Sequence, residues 1–290
     1  MGRQYKRVAN VLVGKAGSGL LIQDLRISFE VVKASDSTPN SATIKIYNMT
    51  SDNQAKIKKE FVDVFLSAGY EGNVRLVFRG NIRHAYTYRE GNDIITEIDA
   101  GDGDRDYREA VMNETLAAGT TDKQLVERAA SSMTGGTKLG HTDASDKART
   151  RGKVLTGNTR HVLSKIASGT NATWSIQDGV LQLVNVAGVL PSEAIVLNND
   201  TGLLHAPKIT EDGVETICLL NPEIGINGRI KINNRDVDTR PPGGGADTGG
   251  EDKKPLPGLS ADGFYKVIKL THKGDTHGSE WTSTTIGVAL

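Results

Sequence analysis

The sequence predicts a mainly β fold with an α+β insert, and three observations carry that reading. Apolar residues alternate with polar ones through roughly the first hundred positions and again through roughly the last ninety, the period-two signature of half-buried strands. Between those stretches the apolar spacing lengthens to that of amphipathic helices. Glycine, asparagine and aspartate punctuate the whole chain at turn spacing.

The first part reads as an antiparallel meander. Leu25, Ile27, Phe29 and Val31 alternate with Arg26, Ser28 and Glu30, and a second alternation follows in Ala42, Ile44 and Ile46. Thr50 or Ser51 offers an N-cap for a short helix through Ile57 and Lys58, after which the run 61–66 returns to strand. Three further strands are expected: one with Val74, Leu76 and Phe78 on a face, one with Ile82, His84, Tyr86 and Tyr88, and one with Ile94, Thr96 and Ile98. That many strands in so short a span suggest a small sandwich or barrel.

After Ala100, Gly101, Asp102 and Gly103 the texture changes. Thr121 with Gln124 forms a capping box, and Leu125, Val126, Ala129, Ala130 and Met133 recur at helical spacing until Gly135 and Gly136. A second helix runs from an Asn158 cap through Val162, Leu163 and Ile166 to Gly169. Trp174 and Ile176, then Asp178 and Gly179, then Leu181 and Leu183 give the clearest hairpin signal. Strands return at Ile209, 214–220 and 229–232, and two more close the chain at 264–272 and 280–288.

One stretch breaks the last β region. Residues 233–260 are rich in glycine, proline and charge, and they hold too little apolar surface to order themselves alone. A mobile loop set between paired strands reads as a partner-docking element, with Arg235, Arg240, Asp252, Lys253 and Lys254 as its candidate contacts.

Composition removes several function classes. Thirty-five basic residues balance thirty-five acidic ones, so the overall positive field of a sequence-independent nucleic-acid binder is missing. Aromatic residues are 5% of the chain and do not interleave with Arg or Lys, which leaves no stacking platform for single strands. No apolar run approaches the ~20 residues of a membrane helix, so no membrane anchor is expected. The basic start is followed by an apolar stretch too short for a secretory signal, and Lys6 stands where a myristoylation motif needs Ser or Thr. Cys218 is the single cysteine, which excludes an internal disulfide.

Candidate chemistry fails at named positions. Gly14, Gly17 and Gly19 surround Lys15 in the wrong order for a phosphate loop, and a tight β turn between Val13 and Leu20 is the better reading. Asp102, Asp104 and Asp106 have calcium-loop spacing, but Tyr107 occupies the obligatory glycine position and Asn113 the position of the bidentate Glu. A solvated turn before Tyr107 is expected instead. His141 with Asp143 lies in a loop-like context, no histidine pair has metalloprotease spacing, no nucleophile elbow is present, and Cys218 sits in an apolar run as a core thiol. No catalytic residue, cofactor or metal is therefore expected. Paired carboxylates such as Asp102 and Asp104 are what a cell-wall glycosidase would draw on, but sequence does not place two carboxyls across a substrate.

The order of elements also carries a resemblance. The meander, then Ile98, Asp99, Ala100, Gly101, Asp102 and Gly103, then Thr120 and Thr121 opening a helix, resembles the baseplate hub proteins of tailed bacteriophages, the tail-tube-like hubs of the late control D-like family. Gly202, Leu203 and Pro207, the turn at Asp212, Gly213 and Val214, and then Leu219, Leu220, Asn221 and Pro222 are similar to that family's entry into its second tube-like domain. Gly263, Tyr265, Lys266, Val267, His272, Gly274, Asp275, Gly278 and Trp281 resemble its closing hairpin.

The resemblance implies two tube-like antiparallel β-barrel or sandwich domains, 1–105 and 201–290, flanking a mixed α+β domain, 106–200. It further implies a structural virion protein of the tail baseplate, assembled in the host cytoplasm. Three copies would form a homotrimeric hub that joins the tail tube protein to the central spike, contacts baseplate wedge proteins, and lines a channel. The tape measure protein and DNA would pass through that channel without specific binding. Another tail protein, a tube or terminator, is the alternative, ahead of a tail-associated cell-wall hydrolase.

Overall fold

A computed structural model describes residues 6–15, 18–239 and 257–290. Strand β1 (Arg7–Lys15) turns back as β2 (Ser18–Ile22), pairing Val13 with Leu20 and Gly14 with Gly19, as the glycine-marked turn predicts. Strands β3 (Ile27–Ala34) and β4 (Ser41–Tyr47) bury alternate side chains, Ile27, Phe29, Val31, Ala42, Ile44 and Ile46. Helix α1 (Ser51–Lys59) starts behind Thr50 and buries Ile57 in the same core.

The meander continues through β5 (Asp63–Tyr70), β6 (Asn73–Glu90) and β7 (Asp93–Gly101). Here the expectation of two strands between 74 and 88 is corrected, because β6 is one long strand that changes partner midway. Its first half pairs with β5 and its second with β7, and Asn81 is matched to both Asp63 and Gly101. Between the two halves lies Gly80, where a Cβ would lie 2.6 Å from the carbonyl oxygen of Gly101. Glycine there permits close crossing of strands rather than chain reversal. Register shifts also turn Phe78 inward and leave Leu76 exposed, so the two do not share a face.

The middle of the chain holds α2 (Asp104–Glu109), β8 (Val111–Leu116), α3 (Asp122–Ser131), β9 (Lys138–Thr142), β10 (Lys153–Asn158), α4 (Thr159–Gly169), β11 (Ala172–Gln177) and β12 (Val180–Asn185). The capping box at Thr121 forms, with Gln124 N–H donating to the Thr121 hydroxyl and Thr121 N–H donating to the Gln124 side chain. Asn158 caps α4 through Arg160 N–H. Asp178 and Gly179 turn the β11–β12 hairpin with φ of 54° and 79°, the left-handed pair that a two-residue hairpin needs. Leu125, Leu163, Ile166, Trp174, Leu181 and Leu183 close a core of their own.

Short strands β13 (Ile195–Val196), β14 (Lys208–Ile209), β15 (Val214–Leu219) and β16 (Arg229–Lys231) lead to the long closing pair β17 (Phe264–Asp275) and β18 (Trp281–Ala289). β17 pairs with β18 on one side and with β3 on the other, matching His272 to Val31 and Gly274 to Phe29. The β regions at the two ends of the chain therefore share one 13-stranded sheet, ordered β14-β15-β18-β17-β3-β4-β7-β6-β5-β1-β2 along its main path. Leu220 and Trp281 pack into the core of the first region, where Phe29 and Tyr70 meet the Trp281 ring edge to face at 5.6 and 6.4 Å. A third core, with Ile226, Ile230, Tyr265 and Val267, lies under the C-terminal strands.

Both stems of the glycine- and proline-rich segment are ordered, which corrects the expected extent of the loop. Asn234–Asp236 form a turn of 3-10 helix, Val237 is buried, and Asp238 N–H donates to Pro207 O. The Tyr265 hydroxyl donates to Asn234 at 2.8 Å and accepts from Ser260 N–H at 3.2 Å, tying the two stems together.

Candidate functional site: the open face of the sheet

Alternation fixes what the sheet presents. One face is apolar and covered by the cores, so the residues between them project from the other. In register across the strands, one row reads Leu219, Thr282, Lys273, Glu30, Thr43, Asp99 and His84. The next reads Ile217, Thr284, Thr271, Val32, Ser41 and Gly101. A third reads Asp275, Ser28, Lys45, Glu97 and Tyr86. This face crosses from the C-terminal strands into the N-terminal ones without interruption.

Its chemistry is mostly hydroxyls, small residues and paired charges, with Val32, Ile217 and Leu219 as apolar positions. Lys273 lies 3.1 Å from Glu30, Lys45 3.7 Å from Glu97, and Arg26 2.7 Å from Asp275 with its guanidinium over the Tyr47 ring. Asp99 accepts from the Thr43 hydroxyl at 3.0 Å. Tyr86, exposed, and Tyr88, half-buried, stack at 5.9 Å and donate to the two oxygens of Glu97 at 2.7 and 2.9 Å. Partial burial pushes the Glu97 carboxyl up, but the two hydroxyls and Lys45 outweigh it and hold the group below the ordinary carboxylate range. The hydrogen bond to Glu97 raises the Tyr86 hydroxyl to about 12.

The two sides of this face end differently. Beyond β15, residues 202–209 cover the edge through β14 and a bridge from Leu203 to Cys218. On the other side the second half of β6 pairs with β7 alone among the described residues, so no second strand lies along its outer edge from His84 to Glu90. An open edge of that length is a template for another strand.

The residues weighed for catalysis are tied into the architecture. Asp102 is fully buried, not solvated, and accepts from Gly179 N–H at 2.8 Å and Asp178 N–H at 2.5 Å. Asp104 lies between Arg83 at 2.7 Å and Arg108 at 3.0 Å, and Asp106 accepts from Thr137 N–H at 3.0 Å. The expected solvated turn is thus a set of buried staples, because each carboxylate finds partners far along the chain. His141 lies on β9 rather than in a loop and meets Asp143 at 2.8 Å, and Asp143 also accepts from Asn185 N–H. The Cys218 thiol is buried, pushed up to about 12 by desolvation, and directed at Ser283 O. Complete burial also drives His272 down to about 3, with Lys33 adding to the effect, and its Nδ1 lies 2.8 Å from the Ser283 hydroxyl. Among the described residues no group of three or more His, Cys, Asp or Glu is placed to hold a metal ion.

Of the candidate docking residues, Arg235 lies on the 3-10 turn, exposed, and Arg240, Asp252, Lys253 and Lys254 lie outside the described residues. The open face was missed in the sequence. Its alternating positions are legible strand by strand, but Lys273 opposite Glu30 follows only once β17 is known to pair with β3.

Comparison with known proteins agrees with this architecture. The family model described as baseplate hub gp41 matches residues 7–235. The chain superposes on the 43 kDa tail protein of prophage MuSo2 from Shewanella oneidensis with a TM-score of 0.63 at 9% identity, over 98% of each chain. It superposes on a tail protein from Neisseria meningitidis MC58 with a TM-score of 0.62 at 8% identity, over 98% of this chain and 97% of that one. The E. coli c3393 protein, a type VI secretion component with structural similarity to the T4 tail proteins gp27 and gp5, gives 0.55 at 11% identity, over 99% of this chain and 76% of that one. At such identities the likeness is one of fold. No curated protein matches the sequence. Because the family model spans most of the chain, from Arg7 to Arg235, the protein belongs to the baseplate hub gp41 family, structural components of the bacteriophage tail.

Proposed function

We propose that the chain is the subunit of a homotrimeric hub whose open sheet face lines a DNA channel between the tail tube and the central spike. The observation that supports this most is the face itself, which runs through both β regions and carries its charges in pairs. DNA is held by cations free to replace its counterions. Lys273, Lys45 and Arg26 are each engaged by a carboxylate, so the face offers a hydrated, hydroxyl-rich wall with little net attraction for phosphates. Such a wall suits a duplex, or a tape measure protein, that has to slide.

Trimer formation is favoured by the open half of β6, which closure into a ring would pair or cover. In this reading 1–105 and 201–290 act as two tube-like units that present similar surfaces to a tail tube, and 106–200 packs outside them. The segment around Arg235 serves as the docking element for spike or wedge proteins. Light scattering and native mass measurement test the assembly. Three copies that bind a tube or spike protein are expected, and a monomer that joins neither overturns the reading.

A further inference from the structure

The mixed unit is joined to the sheet differently from the way the two β regions are joined to each other. Its apolar core is drawn from residues between Ala110 and Leu183, and no buried apolar cluster among the described residues spans its junction with the sheet. The junction is polar instead: Arg83 on β6 pairs with Asp104 at 2.7 Å and Arg79 donates to Gly136 O at 3.3 Å at its exposed side, and its buried centre grips the tip of the β11–β12 hairpin. Asp102 accepts both N–H groups of that tip, from Asp178 at 2.5 Å and Gly179 at 2.8 Å. Lys33, almost fully buried on β3, reaches the Asp178 carboxylate at 2.7 Å. Asn40 donates to Ile176 O and to the Gln177 side chain, both at 2.9 Å, and Gln177 donates to Ala34 O at 2.7 Å.

Beside this cluster lies a cavity of about 340 Å³, bordered by Lys33, Val77, Gln177, Asp178, Ile224 and His272. The Gln182 Oε1 atom, on another residue of its lining, is buried with no hydrogen-bond partner. The void and the orphaned oxygen show that this joint is not filled to interior density. The chain itself crosses between sheet and insert at residues 101–103 and again just beyond Asn185.

We propose that this junction is a releasable latch: the mixed unit is held by the grip of Asp102, Lys33 and Asn40 on the hairpin tip, and when that grip breaks it turns away from the sheet as a rigid body about its two chain crossings. Directional, charge-assisted bonds shorten or fail over fractions of an ångström, whereas apolar contacts slide and re-form. A joint held mainly by directional bonds has two states, docked and free. The insert keeps its own core in both, and the inference does not depend on the hub reading.

Paired spin labels test it in the full-length protein, with S41C on β4 and H161C on α4 reporting across the junction. S41C with K269C reports within the sheet. In the otherwise native chain both pairs give one narrow distance. With Asp102→Asn added, the cross-junction distance broadens or splits and the sheet pair stays narrow. Gln177→Ala, which removes the two cross-junction bonds to Ala34 and Asn40 together with one to Ser175 inside the insert, gives a smaller broadening and serves if the first variant fails to fold. An unchanged cross-junction distance in the folded variant, or broadening of both pairs together, overturns the proposal.

Discussion

The N-terminal and C-terminal β regions are separated in the chain by the whole insert yet are fused, whereas the insert that separates them is only fastened on. Between the β regions the joint is seven matched positions of β17 on β3, with Leu220 and Trp281 buried in the opposite core. Between sheet and insert it is a handful of buried polar bonds beside a cavity. Apolar burial summed over a sheet makes one cooperative body, and discrete hydrogen bonds make a seam. The protein thus combines a rigid wall with an attached module.

The largest expected effect breaks the fused joint. Trp281→Ala empties a fully buried indole site between Phe29 and Tyr70 and should cost roughly 3–5 kcal/mol, read as a lower midpoint in urea unfolding. Because Trp281 belongs to the C-terminal strands and its neighbours to the N-terminal ones, both regions should lose stability in the same transition.

Next in size is the seam. Asp102→Ala leaves two buried N–H groups without acceptors and Lys33 with one carboxylate partner fewer nearby, at a cost of about 2–4 kcal/mol. Hydrogen exchange should quicken through β11 and β12 far more than through β3, β4, β17 and β18.

Acid sharpens the comparison further. His272, on β17 beside the seam, is held neutral by burial with its folded value near 3, so the unfolded chain binds a proton below its ordinary value while the folded chain does not. Its contribution is complete above about pH 6.5 and is lost as the pH falls toward 3, with a slope approaching ~1.4 kcal/mol per unit. His272→Asn should flatten that part of the stability profile.

The smallest effect belongs to the open face. Glu30→Ala removes the partner of Lys273, and the fold should change by no more than ~0.5–1 kcal/mol, as for other exposed pairs. Glu30→Lys should leave stability similar but make assembled rings retain duplex DNA at low salt, with retention disappearing as salt rises.

Much of this fold is legible in the sequence because local signals agree with the final structure. The Thr121 capping box, the Asn158 cap, the turn at Asp178 and Gly179 and the alternation in β3 and β4 each follow from neighbours within a few residues. What is not legible is set by distant partners. Asp102 looks like part of an exposed acidic turn until Gly179 is brought 77 positions back to it. The expected gap between the 74–78 and 82–88 strands closes only when β6 is seen to change partner at Asn81, with Gly101 passing against Gly80. The open face is half legible: the outward positions follow from period two, but the pairing of their charges depends on strand order, which no single segment encodes.

Electron microscopy of rings formed by the purified chain tests the central claim most directly. The account predicts three copies per ring, with Thr43, Thr271 and Thr284 turned toward the lumen and α3 and α4 outside. A ring whose lumen is lined by α3 and α4, or a chain that stays monomeric in the presence of tube and spike proteins, would contradict it.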